Sequence, residues 1–351
     1  MSASPLSAPW WRPDQFARRR PALEIRQRVL RAVRGYFEAQ GFDEVETPAL
    51  QISPGNEVHL HAFATPFVNP FTDERQDFYL HTSPEFSMKK LLVAGVPKIF
   101  QLAHVFRNGE RSSRHHPEFS MLEWYRAGAR LDAIKEDCVN IVRAAATASG
   151  IKTFAAQGMI CDPFLDWETL GVPEAFQRYA GIDLLATVGD VALLREQVLR
   201  ANIRASDEDN WEDLFFRVMG EVIEPLLGKT RPTFLCDYPV SMAALARPKR
   251  DDPRLAERFE LYICGYELTN AFDELTDADE QIRRFKADMD AKQKLYGERF
   301  PIDEDFIAAL RHGMPESSGI AMGFDRLVML CAGAEDIENV LWAPVFADKT
   351  P

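Results

Sequence analysis

Two neighbouring runs decide the reading of this chain: Phe106-Arg107-Asn108-Gly109-Glu110, and His116-Pro117-Glu118-Phe119-Ser120-Met121-Leu122-Glu123-Trp124-Tyr125. Residues 98–106 and 118–126 both have strand character, and the polar segment between them carries Arg107, Arg111, Arg114, His115 and His116. The pattern predicts an antiparallel hairpin with a long loop, and such loops in compact domains are mostly functional or disordered. In the second strand Phe119, Met121, Glu123 and Tyr125 share one face. An acid and a phenol beside apolar groups suit a pocket that captures a cation. Arg107, at the end of the neighbouring strand, is placed to meet an anion bidentately. A surface hairpin with solvated charges accounts for the same residues, and spacing does not choose between the two.

On the N-terminal side, residues 1–20 read as a loose arm. From Pro21 to Gly41 apolar residues recur at three- and four-residue steps, which predicts a helix, followed by an extended run at 42–48. Thr82-Ser83-Pro84-Glu85 is a helix start, with a hydroxyl at the cap, proline just inside and an acid in the first turn; that helix ends at Gly95. On the C-terminal side a helix is expected over 131–150. A broken helical stretch at 165–230 reads as an insertion. Strands follow at 233–240 and 257–272, helices at 277–297 and 303–312, a strand at 320–322, a helix at 324–334 and a last short strand near Val340. Mostly sequential strands with helices before, between and after them predict an α+β domain around a mostly antiparallel sheet. No GxGxxG or P-loop cradle is present.

Two further constellations carry chemistry. Glu260 and Glu267 sit in an apolar hairpin, where unpaired acids are costly. Strict alternation puts them on opposite faces, and Gly265 offers a turn or bulge that would restore one side. Together they fit Mg²⁺, which takes a few carboxylates and otherwise binds substrate phosphates; two acids on an edge hairpin fit the spacing equally. In Gly319-Ile320-Ala321-Met322-Gly323-Phe324-Asp325-Arg326, glycines flank a short strand that enters a helix. Glycine permits close backbone approach to a ligand, and Arg326 in the first turn is placed to stack on a purine or pair with a phosphate. A tight strand–helix turn with a surface arginine is the plainer account.

The 351 residues are 46% hydrophobic and 27% charged, enough apolar material for a sizeable core. The net charge of −13 argues against generic nucleic-acid coating. Five scattered cysteines argue against a zinc ribbon or disulfide framework and point to a reducing cytoplasm. No signal-peptide h-region and no membrane-length apolar run is seen.

In this order the segments resemble the three signature motifs of class II aminoacyl-tRNA synthetases. Residues 21–48 resemble motif 1, the dimer-forming element. Arg107 to Phe119 resembles motif 2, and Gly323-Phe324-Asp325-Arg326 resembles motif 3. The runs around Thr82, Glu123, Glu260 and Glu267 are similar to the lysyl type, and the resemblance covers roughly 21–345. Too few residues precede motif 1 for an anticodon-binding OB domain, so 21–351 is expected to be a lone catalytic domain without tRNA anticodon binding. Ser83, Ala321 and Trp124 match the truncated lysyl-synthetase paralogues that attach (R)-β-lysine to elongation factor P.

The resemblance implies a cytoplasmic, homodimeric, ATP- and Mg²⁺-dependent ligase. It implies that Arg107 bridges the substrate carboxylate and the α-phosphate, while Phe119 and Arg326 sandwich the adenine. Glu260 and Glu267 would hold Mg²⁺. Glu123, Tyr125 and Glu274 would bind the distal ammonium, with Ser83, Pro84 and Glu85 at the other amine and Asn270, Phe272 and Ala321 shaping the pocket. Asn108, Gly109, Glu110, His116, Leu268 and Gly323 would complete the ATP site. Two departures fall in the ATP loop: Gly109 takes the place of an acid, displaced to Glu110, and His116 stands where Asn is common. Two other expectations stand beside the ligase: a short aminoacyl transferase acting on tRNA or another amine, and a non-catalytic adenylate-binding paralogue.

Overall fold

The computed structural model describes residues 9–243 and 245–346. The chain runs α1 (Pro13–Ala39), β1 (Asp43–Glu44), β2 (Leu50–Gln51), β3 (Phe63–Val68), β4 (Arg75–Leu80), α2 (Glu85–Val93), β5 (Lys98–Phe106), β6 (Glu118–Ala127) and α3 (Leu131–Ser149). It continues with β7 (Phe154–Ala156), β8 (Met159–Cys161), β9 (Glu168–Gly171), α4 (Val172–Ala175), α5 (Val191–Arg200), α6 (Trp211–Val218), β10 (Thr233–Pro239), β11 (Leu255–Ile263) and β12 (Tyr266–Asp273). The last elements are α7 (Ala278–Tyr296), α8 (Glu304–Gly313), β13 (Ser317–Gly323) and α9 (Phe324–Ala332).

Eight strands form one sheet in the order β1-β5-β6-β13-β12-β11-β10-β9, antiparallel except at its two edges, where β1 with β5 and β9 with β10 run parallel. This is the α+β architecture read from the sequence. One face carries Leu122, Trp124, Phe259, Leu261, Ile320 and Met322, which pack with α1, α3 and α9 into the main core. Period-two alternation leaves the other face for polar residues. There the register lines up Gln101, Glu123, Ala321, Asn270 and Glu260 across five strands. The next row is Tyr125, Gly319, Phe272 and Arg258. Helices α2, α7 and α8 close over this face through a separate cluster around Phe86, Phe285 and Phe306.

Buried polar ties fix the layers. Asp137 on α3 accepts from Trp124 Nε1 (3.1 Å) and from both arms of Arg126 (2.7 Å each). Asp325 on α9 accepts from the Ser120 N–H (2.7 Å) and pairs with Arg26 of α1. The first helix is thereby locked to β6 and to the start of α9.

Three expectations are corrected. The helix expected from Pro21 begins at Pro13, which occupies the first turn where its missing N–H goes unused, and Pro21 lies inside it. Residues 13–20 are therefore helical rather than loose, and Arg19 among them is buried and donates to the Leu341 carbonyl. Residues 1–8 of the expected arm lie outside the described residues. The 165–230 segment is not purely helical, since β9 pairs in parallel with β10 and joins the main sheet. Its helices bury their own cluster, including Phe176, Leu194, Leu214 and Phe215, against Leu235 and Tyr262 of the sheet. The strand expected near Val340 is a 3₁₀ turn, Ile337–Asn339, whose start is capped by Asp336 accepting from the Glu338 N–H. Among the described residues no helix is long and apolar enough to cross a membrane.

Candidate active site

A cavity of about 290 Å³ opens on the polar face of the sheet, between β6, β12 and β13 below and the start of α2, the hairpin loop and the 52–62 loop around it. Its two ends differ in charge. Acids gather at one, arginines at the other.

At the acidic end Glu123 is buried, with Oε1 accepting from Ser83 Oγ (2.6 Å) and Oε2 from Tyr125 OH (3.0 Å). Burial, and then the nearby charge of Glu85, pushes its carboxyl up to about 8. Glu274 is also pushed up to about 8, by burial above all, with Lys89 pulling the other way. Lys89 is 1% exposed and its ammonium lies 2.5 Å from Glu85 Oε1 and 2.5 Å from Glu274 Oε2. Glu274 Oε1 is buried and has no hydrogen-bond partner. An orphaned carboxylate oxygen in a closed space carries a free-energy cost that an entering ammonium would remove. Gly319 makes the approach possible, because a Cβ there would overlap the Tyr125 ring and Glu274 Oε1. Asn270 is oriented by Arg258, whose Nε donates to its Oδ1 (3.0 Å).

At the basic end Arg107 stands over the Phe119 ring, with its carbon 5.3 Å from the centroid, and lies 3.8 Å from Glu110. Its Nε is buried without a partner. Arg326, in the first turn of α9, is held by the protein itself. It donates to the Glu267 carbonyl (2.9 Å) and meets His115 Nε2 (2.8 Å). Burial and then the Arg326 charge hold His115 below its usual range. This leaves His115 neutral, able to accept from the guanidinium. His116 is anchored to the Glu118 carbonyl (2.6 Å) and lines the cavity.

The predicted acid pair comes to one face by two devices. Cys264 (φ +50°) and Gly265 (φ +70°) make the tight turn between β11 and β12. Leu268 is then an extra residue: Tyr262 pairs with Glu267 while Leu261 pairs with Thr269. Glu267 and Glu260 thus share a side. Only Glu267 opens onto the cavity. Its carboxyl, though exposed at the cavity floor, is pushed up to about 7 by surrounding protein and then by the Glu260 charge. Glu260 does not line the cavity. Its Oε2 accepts from Tyr238 OH (2.5 Å) and Tyr262 OH (2.7 Å), and Oε1 from Arg258 (2.6 Å).

The fold therefore brings together Ser83, Glu85, Arg107, Glu110, His116, Phe119, Glu123, Tyr125, Glu267, Leu268, Asn270, Phe272, Glu274, Ala321, Gly323 and Arg326 around one cavity. Four expected members are not in its lining. Pro84 is the cap of α2. Asn108 binds the His61 carbonyl through its backbone N–H (2.8 Å), and Gly109 supplies a positive-φ turn. Glu260 is saturated by its two phenols and Arg258. Sequence reasoning missed Lys89, whose i,i+4 spacing from Glu85 was a visible signal, and Glu57, which lines the cavity from a loop with no motif.

Residues 15–346 match the family described as tRNA synthetases class II (D, K and N). Curated relatives extend over nearly the whole chain. An elongation factor P–(R)-β-lysine ligase of Haemophilus ducreyi is 37% identical over 97% of this chain and 98% of its own. The ligase of the same name from Klebsiella pneumoniae is 40% identical over 92% of this chain and 94% of its own. One from Haemophilus influenzae strain PittGG is 39% identical over 90% and 92%. The chain accordingly belongs to the class II tRNA synthetase family, in company with these elongation factor P–(R)-β-lysine ligases.

Proposed function

We propose that this protein activates (R)-β-lysine with ATP as an aminoacyl-adenylate and transfers the acyl group to the ε-amino group of a lysine on elongation factor P. The observation that carries the reading is the buried, unpartnered Glu274 Oε1, in a cavity whose opposite end holds Arg107 and Arg326. A diamine acid fits between them. Its distal ammonium meets Glu123, Tyr125 and Glu274, its second amine meets Ser83 and Glu85, and its carboxylate meets Arg107.

Activation needs no covalent nucleophile. The amino-acid carboxylate attacks the α-phosphorus, the α–β phosphoanhydride bond breaks, and pyrophosphate leaves. The protein contributes position and charge, which suffice for phosphoryl chemistry of this kind. Arg107 takes the substrate carboxylate and α-phosphate, and Phe119 and Arg326 hold the adenine between them. Arg326 is pre-oriented for this by the Glu267 carbonyl and His115. The donor set suits Mg²⁺ held mainly by the nucleotide's phosphates, with Glu267 as the open carboxylate and Glu260 adding charge from behind; the ion would neutralise the phosphates. Transfer then forms an amide and releases AMP. Ser83 and Ala321 shape the end where the second amine sits. A one-carbon displacement there is worth about 1–3 kcal/mol, so preference over L-lysine is expected at about ten- to two-hundredfold. We read the active form as a cytoplasmic homodimer through α1 and β1, with 165–230 as an insertion in one catalytic domain.

ATP–pyrophosphate exchange with (R)-β-lysine against L-lysine tests the first step, and mass gain on a lysine of elongation factor P tests the second. Exchange with neither amino acid leaves the adenylate-binding reading. Exchange followed by acylation of tRNA instead of protein favours the aminoacyl transferase.

A further inference from the structure

Glu57 belongs to none of the motifs above, yet its side chain lines the cavity beside Glu85 and Arg107. Its loop is built to hold it there. The carboxylate folds back over Gly55, at φ +108°, and a Cβ on that glycine would collide with it. Buried Lys292 of α7 grips the loop backbone, donating to the carbonyls of Glu57 (3.2 Å), Val58 (3.1 Å) and Leu60 (2.5 Å). Next to it, Asn56 donates to the Phe300 carbonyl (3.5 Å) and Asn108 N–H to that of His61 (2.8 Å). Among the described residues the Glu57 carboxylate has no ion-pair partner; its own backbone N–H reaches it. Lys292 spends its donors on carbonyls.

The groups that face Glu57 are Glu85 of α2, Arg107 at the end of β5, and Lys292 and Asp288 of α7. Burial and the Glu85 charge hold its carboxyl above the usual range, against Arg107 and Lys292. Asp288, half-buried behind it, is pushed up to about 7 by burial, then by Glu57 and by exposed Glu212 of α6. Acids thus lead from the cavity at Glu57, past Asp288, to the outer surface at Glu212.

Activation has no need of a base, because the attacking carboxylate is already an anion. Transfer does, because the acceptor lysine arrives as an ammonium. We propose that Glu57 is the general base of the transfer step, receiving a proton from the acceptor lysine's ammonium inside the cavity. The inference rests on the proposed function. One N–H proton passes to the Glu57 carboxylate. The freed lone pair forms the C–N bond at the acyl carbon, the bond from that carbon to the phosphate oxygen breaks, and AMP leaves with the electron pair. The second N–H proton goes to the departing phosphate, whose second ionisation lies near neutrality, with a pKa of about 6. A carboxylate above its usual range is a better proton acceptor than an ordinary one, and its charge beside Glu85 also draws the cationic acceptor inward.

The experiment compares two rates in one preparation of Glu57→Gln: ATP–pyrophosphate exchange with (R)-β-lysine, and single-turnover transfer from preformed adenylate to elongation factor P. The expected result is a transfer-to-exchange ratio lowered about 10²–10⁴-fold, with the acidic limb of the transfer pH profile gone. An unchanged ratio overturns the proposal, whether both rates persist or both fall together. Glu57→Asp, which keeps a carboxylate, should lower the ratio less than Glu57→Gln; the reverse order also overturns it. A wild type without exchange on (R)-β-lysine is failure of the functional reading itself, seen before any variant is made.

Discussion

Lys89 and Glu274 form an ion pair of 2.5 Å closed to solvent, each residue 1% exposed. The lysine also reaches Glu85 at 2.5 Å, so one resident cation bridges helix α2 and the end of β12. It satisfies one oxygen of Glu274 and leaves the other for a guest. A pocket without that lysine would face three carboxylates with no internal counter-charge.

Removing the lysine should be expensive. Lys89→Met is expected to lower stability by about 3–5 kcal/mol, the usual cost of stranding one side of a buried pair. The sign with pH follows from the acids left behind. A carboxyl raised in the folded state costs nothing below its unfolded value of 4.5 and costs most above its folded value, here about 8 or higher. Lys89 holds Glu274 lower than burial alone would, so in denaturant melts wild type and variant should fall together up to the wild-type value of about 8 and diverge as pH rises above it. A gap that stays constant above that value would contradict the pairing.

Substrate affinity should depend on pH for a related reason. Glu123, at about 8, is largely protonated in the empty pocket at pH 7, and an ammonium binds best to its ionised form. Binding of (R)-β-lysine should tighten from pH 6 to 8 and release protons at pH 7. Calorimetry in two buffers of different ionisation enthalpy reads the released protons directly, and buffer-independent heats would rule this out.

Gly319→Ala places a methyl group inside the Tyr125 ring and against Glu274. Overpacking of this kind costs about 1–3 kcal/mol in stability. The larger effect should be on the amino acid: exchange activity is expected to fall below detection while ATP still binds, as equilibrium dialysis with labelled nucleotide would show.

Arg326→Ala removes a side chain that is oriented by the Glu267 carbonyl and His115 and packs into no core. Exchange should drop about 5- to 150-fold, the scale for losing one stacking contact on a base, about 1–3 kcal/mol, with a nearly unchanged melting temperature. Near-normal turnover would take Arg326 out of the site.

Local signals in the chain were read well where the structure depends on local spacing. The shared face of Phe119, Met121, Glu123 and Tyr125 follows from the two-residue period, and α2 starts at Glu85 as the Ser83-Pro84-Glu85 run suggests, although Pro84 rather than a hydroxyl sits at the cap and Ser83 Oγ accepts from the Glu85 N–H (3.0 Å) just outside it. The same-side placement of Glu267 and Glu260 was legible only as a possibility, because the extra residue at Leu268 is a pairing choice and leaves no residue-type mark. The three-stranded sheet β2-β4-β3 escaped notice: its strands are short and exposed, with little alternation to see. Glu57 and the Lys89–Glu274 pair are long-range. Residues 89 and 274 meet only because β12 returns beneath α2, which no window of sequence contains. The same holds for Glu260, whose phenolic partner Tyr238 comes from the next strand over.

The surplus position at Leu268 makes the turn sensitive to chain length in one direction. Without Leu268, Glu267 would adjoin Thr269 and still lie across from Tyr262, on the side of Glu260. One more residue between Glu267 and Thr269 would, with the same single bulge, rotate the acid to the far side, beside Phe259 and Leu261. The nucleotide's end of the cleft would then lose its open carboxylate although every side chain remained, so this stretch should accept shortening by one residue more readily than lengthening.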